Sequence, residues 1–216
     1  MGIRRGSIST PIISDGLLTN FDASNLASTT PSSATTIIKN TINLDNNGTF
    51  GSSGIYDATN KCFNWDGSTN MQLDTAISLG TEYTYCAWMN PTAWNGEPIG
   101  GNTVGSKYMM YITSTQWYHN VGGVYTSINH GLSLSSWNYF CFTRNNLVVT
   151  TYVNGTHIST GTLGANTAMT NAIRNFGTET GANYYYDGKQ DNMNLYNRAL
   201  SADEILHNYN ALKDRH

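Results

Sequence analysis

Charge is scarce in this chain. Eleven Lys and Arg and 14 Asp and Glu among 216 residues leave a net charge of −3, which provides no field to grip nucleic acid or an anionic membrane surface. No apolar run approaches the length of a membrane helix. The start, Met1-Gly-Ile-Arg-Arg-Gly-Ser7, lacks the hydrophobic stretch of a secretory leader. Cysteine is rare as well, and the odd count of three cannot all pair within the chain. Cys62, Cys86 and Cys141 each sit among aromatic, strand-like residues, so the expectation is three buried, reduced thiols acting as small apolar groups.

A catalytic set is also missing. His119, His130, His157, His207 and His216 show no metal-ligand spacing, and no His-Glu-x-x-His occurs. Retaining glycoside hydrolysis needs two carboxyl groups about 5 Å apart, and acids at i and i+2 or i+4 of one strand share a face. The nearest strand-compatible pair, Asp187 with Asp191, is read as structural. The sequence therefore predicts no enzyme.

What is abundant is Asn, Thr, Ser and Gly, with aromatics at 12%; a disordered chain would be poor in those rings, so this one folds. Its length suits one all-β domain. Residues 1–15 read as an arm, and residues 16–216 as a single domain. Strands are expected at Leu17–Asp22, Lys61–Trp65, Met71–Asp74, Glu82–Asn90, Ile173–Thr178 and Tyr184–Tyr196, with short ones around Thr36–Ile42 and Gly48–Phe50. Hairpins are expected for Lys107–Thr113 with Thr115–Val121, and for Trp137–Arg144 with Leu147–Asn154 across Asn145-Asn146. Asn154-Gly155 is the strongest turn signal, because a type I′ turn needs φ > 0 at both central residues; His157–Thr160 would follow it. The last strand should alternate Gln190, Asn192 and Asn194 against Asp191, Met193 and Leu195. A helix over residues 201–214 is opened by a capping box of Ser201 and Glu204.

Several pieces together carry a family resemblance: Phe21-Asp22-Ala23, Asn46-Asn47-Gly48-Thr49, Phe63-Asn64-Trp65-Asp66-Gly67, Tyr83 to Pro91, Trp137-Asn-Tyr-Phe140, Tyr152-Val-Asn-Gly155 and Gly188 to Ser201. In order and spacing the chain resembles the laminin-G-like, concanavalin-A-like jelly rolls from about residue 16 to 213. It departs from them at Gln190, where the family is usually apolar, and at Asn192, where it is usually acidic. The resemblance implies a two-sheet antiparallel jelly-roll sandwich finished by one short helix. It also implies a candidate Ca²⁺ site tying the first strand to the last through Asp22 and Asp191. The start, Arg4-Arg5-Gly6 followed by Ile8-Ser-Thr-Pro-Ile12-Ile13-Ser-Asp-Gly-Leu, resembles virion proteins of tailed bacteriophages, especially of marine and cyanobacterial hosts. That likeness implies a capsid decoration or a tail or fibre subunit, made in the host cytoplasm and partnered by other virion proteins or by further copies of itself.

Two surfaces follow. Arg4, Arg5, Ile8, Ile12 and Ile13 are candidates for an arm that docks on another subunit, or else form a loose basic tail. Exposed rings stack on the apolar face of a pyranose, so Trp94, Trp117, Tyr118, Tyr184, Tyr185 and Tyr186 are candidates for contact with cell-surface glycans. Trp and Tyr in a sandwich also fill cores and subunit contacts. Three successive tyrosines on a strand cannot all face inward, so at least one of 184–186 meets solvent, a ligand or a neighbour. Trp65, Trp88 and Trp137 are assigned to the core.

Overall fold

The computed structural model describes residues 11–25, 36–52, 55–101, 109–121, 124–178 and 184–216. Its strands are β1 (Leu17–Phe21), β2 (Ile37–Ile38), β3 (Gly48–Phe50), β4 (Tyr56–Asp57), β5 (Cys62–Asp66), β6 (Met71–Leu79), β7 (Glu82–Pro91) and β8 (Gly96–Gly101). They continue with β9 (Met110–Ile112), β10 (Gln116–Val121), β11 (Val124–Asn129), β12 (Asn138–Asn145), β13 (Val148–Val153), β14 (Thr156–Thr162), β15 (Met169–Phe176) and β16 (Asp187–Tyr196). Helix α1 (Ala202–Leu212) and a 3₁₀ turn (Lys213–Arg215) close the chain. The first sheet runs β14-β13-β12-β7-β16-β5-β4, with β1 also paired to β16; the second runs β11-β10-β9-β8-β15-β6-β3-β2. This is the expected all-β jelly-roll sandwich with one short C-terminal helix.

Alternation builds the core. Tyr83, Tyr85, Ala87 and Met89 of β7 and Phe140 and Phe142 of β12 face inward. There they meet Ile99, Met110, Ile112, Trp117, Ile173 and Phe176 of the second sheet. The other face of the first sheet is covered too. Cys86, Trp88, Tyr139, Cys141 and Tyr196 form a second apolar cluster capped by Leu200, Ile205 and Leu212, with Ile12, Ile13 and Trp137 at its edge. Burial on both faces explains why β7 carries seven successive buried residues, Tyr83–Met89, rather than a half-polar alternation.

That second cluster revises two expectations. Cys86 and Cys141 lie opposite each other in the β7–β12 ladder and form a disulfide, leaving Cys62 as the buried free thiol; their directly paired outward positions bring the sulfurs together. Ile12 and Ile13 are seated within their own chain. The Ile13 amide donates to Asn208 Oδ1 at 2.8 Å, and the Ile13 carbonyl accepts from the Tyr196 hydroxyl at 3.1 Å. Arg4, Arg5 and Ile8 lie outside the described residues.

The last strand also departs from plain alternation. Its register against β7 slips between Asp191 and Asn194, and Asn192 adopts φ 49°, the signature of a β-bulge. The bulge lets Gln190 reach inward to the Tyr85 hydroxyl and keeps Met193 and Leu195 in the core, while Asp191 is directed to the outer face. β8, which shows no strand period, is Gly-Glu-Pro-Ile-Gly-Gly with all six residues buried. A Cβ at Gly96 would lie 2.7 Å from the Tyr186 Cα, so the crowding that demands glycine also hides the strand from propensity reading. Among the described residues no helix is long and apolar enough to cross a membrane.

Candidate functional site

Tyr111 on β9 and Tyr118 on β10 face each other across a hairpin closed by the Thr113 amide donating to the Gln116 carbonyl. Their chain neighbours Met110, Ile112, Trp117 and His119 are fully buried, so alternation turns both tyrosines to the outer face of the second sheet. Their ring centroids lie 6.1 Å apart. Tyr184, 53% exposed, completes the group with its ring 5.2 Å from that of Tyr111 at 69°. Burial, and then the nearness of Tyr184, Glu97 and Tyr118, pushes the Tyr111 hydroxyl above its ordinary value, so it stays a neutral donor and acceptor. Half-buried Gln116 and exposed Ser127, the ladder partner of Tyr118, border the rings. Three rings edged by amide and hydroxyl groups offer apolar contact area with directional hydrogen bonding.

The other ring candidates are placed elsewhere. Trp117 is wholly buried, its indole N–H donating to Thr151 Oγ1 at 2.8 Å and its ring 4.5 Å from Phe142. Tyr186 is wholly buried and Tyr185 half-buried beside Glu97. Trp94 is half-buried and stacks on His130 at 5.0 Å and 26°. Tyr111, which completes the group, escaped sequence reading. The Thr113/Gln116 closure places it opposite Tyr118, and that register was the available signal.

On the outer face of the first sheet, Asp22 and Asp191 do come together. Asp191 Oδ1 accepts from the Ala23 amide at 2.8 Å, and its Oδ2 from Asn192 Nδ2 at 2.8 Å and from His216 Nε2 at 3.1 Å. Asp22 Oδ1 accepts from the Ser24 amide, and its Oδ2 from Arg215 Nη1, each at 2.9 Å. Each of these named contacts is with an N–H group. Among the described residues no three His, Cys, Asp or Glu side chains are grouped to hold a metal. As placed, the set does not fit Ca²⁺. A cleft of about 270 Å³ beside it is lined by Pro11, Ile12, Asn20, Ile42, Asp22 and Arg215. Asp187 is held separately by Thr92 Oγ1 at 2.5 Å. Four residues along a strand set it about 13 Å from Asp191, well beyond a retaining pair.

Two packed antiparallel sheets, with one outer face covered by helix and arm and the other carrying rings, define a jelly-roll sandwich of the concanavalin A type. The family model described as the concanavalin A-like lectin/glucanases superfamily, in its laminin-G form, matches residues 66–206; the chain belongs to that family. Similar solved structures agree in fold. Domain 4 of the extracellular arabinanase AbnA of Geobacillus stearothermophilus, in complex with arabinotriose, is 16% identical with a TM-score of 0.68, over 88% of this chain and 96% of that one. The binding domain of botulinum neurotoxin DC, in complex with SialylT, is 12% identical with a TM-score of 0.64, over 92% and 52%. The heptameric SAP-like pentraxin of Limulus polyphemus is 15% identical with a TM-score of 0.57, over 66% and 78%. No curated protein sequence matches this chain.

Proposed function

We propose that this chain is a non-enzymatic glycan-binding module whose contact surface is the outer face of the second sheet at Tyr111, Tyr118 and Tyr184. The observation that carries the reading is the convergence of three rings from separate segments onto one solvent-facing patch. The saccharide complexes of the arabinanase domain and the toxin binding domain, both on this fold, support it. So does the wide separation of Asp187 from Asp191. As its setting we propose a bacteriophage virion, where the chain would be a capsid decoration or a tail or fibre subunit that adheres to host glycans. The start of the sequence and the polar, weakly charged composition support that setting. A free carbohydrate-binding module is the second reading, favoured by Ile12 and Ile13 being engaged within their own chain rather than left for a neighbour.

A glycan array probed with purified protein, followed by calorimetry on the best ligand, tests the binding role. Tyr118→Ala and Tyr184→Ala should each weaken binding roughly three- to tenfold, the loss of one ring contact. A silent array, or affinity unchanged in both variants, would defeat the reading. Proteomics and antibody labelling of purified particles separate virion component from free module.

A further inference from the structure

The carboxylate pair of the first sheet shares its site with an aromatic one. The His216 ring centroid lies 4.6 Å from that of Trp88 and 4.6 Å from that of Trp137, at interplanar angles of 32° and 41°. The imidazole is thus held between two indoles while its Nε2 meets Asp191 at the slot's inner edge. Its side chain is only 5% exposed, and that of Asp191 not at all. Trp88 is 4% exposed, and its indole N–H has no hydrogen-bond partner among the described residues. One residue earlier, Arg215 Nη1 meets Asp22 at 2.9 Å. Trp137, assigned to the core from sequence, instead stands half-exposed as an outer wall of this slot.

Two neighbouring buried carboxylates are unfavourable without positive charge, because each loses hydration and each repels the other. Burial and then Asp191 raise the affinity of Asp22 for a proton, while Arg215 and the Ser24 amide act against them. Ring faces beside a carboxylate suit a flat N–H donor better than a compact, strongly hydrated ammonium, and the imidazole next to two indoles with its Nε2 on Asp191 is such a group.

We propose that Trp88, Trp137 and Asp191, with Asp22 beside them, form a recognition slot for a basic peptide segment bearing adjacent guanidinium and imidazole groups, filled here in cis by Arg215 and His216. It is a second binding site, on the sheet opposite the tyrosine face, and is independent of the glycan reading. It also explains why the acids do not present a calcium cage: their oxygens are already taken by N–H groups of Arg215, His216 and the Ala23 and Ser24 amides. The adjoining cleft, lined by both Asp22 and Arg215, gives the segment a path to solvent.

The test uses the full chain carrying Arg215→Ala and His216→Ala, with the peptide acetyl-Lys-Asp-Arg-His as probe. The double variant should bind the peptide, change its tryptophan fluorescence and regain lost thermal stability, while wild type, its slot already filled, should not bind at the same concentration. Adding Asp191→Asn to the double variant should weaken the peptide at least tenfold. A folded double variant that ignores the peptide, or one whose affinity is unchanged by the added Asp191→Asn substitution, overturns the proposal. Should the double variant not fold, His216→Ala alone retains the Arg215–Asp22 bridge, and free imidazole should raise its Tm by refilling the slot; no rise overturns the proposal. Millimolar Ca²⁺ raising the Tm of wild type would likewise overturn it, by showing that the acids serve a metal.

Discussion

His119 lies in the interior between the sheets, and its neighbours settle its state. Nδ1 faces the Met109 carbonyl at 2.7 Å, which only accepts, so Nδ1 carries the proton and Nε2 accepts from the Tyr83 hydroxyl. That hydroxyl in turn accepts from Arg144 Nη1, and Arg144, wholly buried, donates onward to the carbonyls of Asn146 and Thr167 at 2.8 Å each. Burial foremost pulls the His119 pKa down to about 4, and the Arg144 charge acts the same way. A base harder to protonate when folded lets the unfolded state bind more protons as pH falls. Stability contributed by neutral His119 should therefore be complete above its ordinary value of 6.5 and be lost between there and about 4, by about 3 kcal/mol in all. Denaturant unfolding at stepped pH checks this, with His119→Gln expected to flatten the slope across that window. Cys62 gives a second check at this scale. Burial pushes its thiol up to about 12, so it should resist alkylation at neutral pH until the chain unfolds. Cys86 and Cys141 should appear linked in an unreduced digest.

Among the elements, α1 and the β13–β14 hairpin owe most to local chemistry. Ser201 Oγ accepts from the Glu204 amide at 3.2 Å, and Glu204 Oε2 from the Ser201 amide at 2.8 Å, completing the anticipated capping box. Arg198 lies beside Glu204 and holds its carboxyl down at about 2. Asn154 and Gly155 adopt φ 52° and 76°, the paired positive values the turn requires. The two motifs meet in space, since a Cβ on Gly155 would approach Leu206 Cδ1 to 2.7 Å and the Leu206 Cα to 3.2 Å. Ser201→Ala should cost about 1 kcal/mol through the lost cap alone. Gly155→Ala should cost at least as much, because backbone strain and a clash with α1 add. Thermal unfolding of the two variants gives the order directly. The other Asn turn was displaced by one residue: β12 and β13 pair Asn145 with Val148, so the loop is Asn146-Leu147, with Asn146 at φ 56°.

For the whole molecule, the two outer faces have opposite fates. The first sheet is covered by α1 and by Ile12 and Ile13, while the second carries half-buried Tyr111 and Tyr118 and exposed Tyr184 on its outer side. Tyr118→Ala and Tyr184→Ala should consequently leave Tm almost unchanged while weakening glycan binding. Loss of both together in a melting scan would reassign the rings to structure.

Legibility followed the same division of scales. Strands with a clear period, the Asn-Gly turn and the capped helix were readable because their causes lie within a few residues of one another. β8 was not, since Gly96 is explained only by the Tyr185 and Tyr186 backbone pressing against it. Nor was the bulge at Asn192, which answers to the core on one side and to Asp191 on the other. Of six ring candidates, Tyr118 and Tyr184 share the patch; Trp117 and Tyr186 went to the core because a strand's inward side depends on which sheet lies opposite.

By itself the sequence determined an antiparallel sandwich closed by a helix, with Asp22 and Asp191 at opposite ends of the chain and a weakly charged, amide- and hydroxyl-rich composition. Periodicity, turn chemistry and composition are local quantities, so they survive without coordinates. Only the tertiary structure decided that Cys86 meets Cys141, that Tyr111 joins Tyr118 and Tyr184, and that Arg215 and His216 fill the place beside the two carboxylates. Each of those contacts joins strands or segments brought together by pairing register and sheet packing, and proximity of that kind is a property of the folded whole.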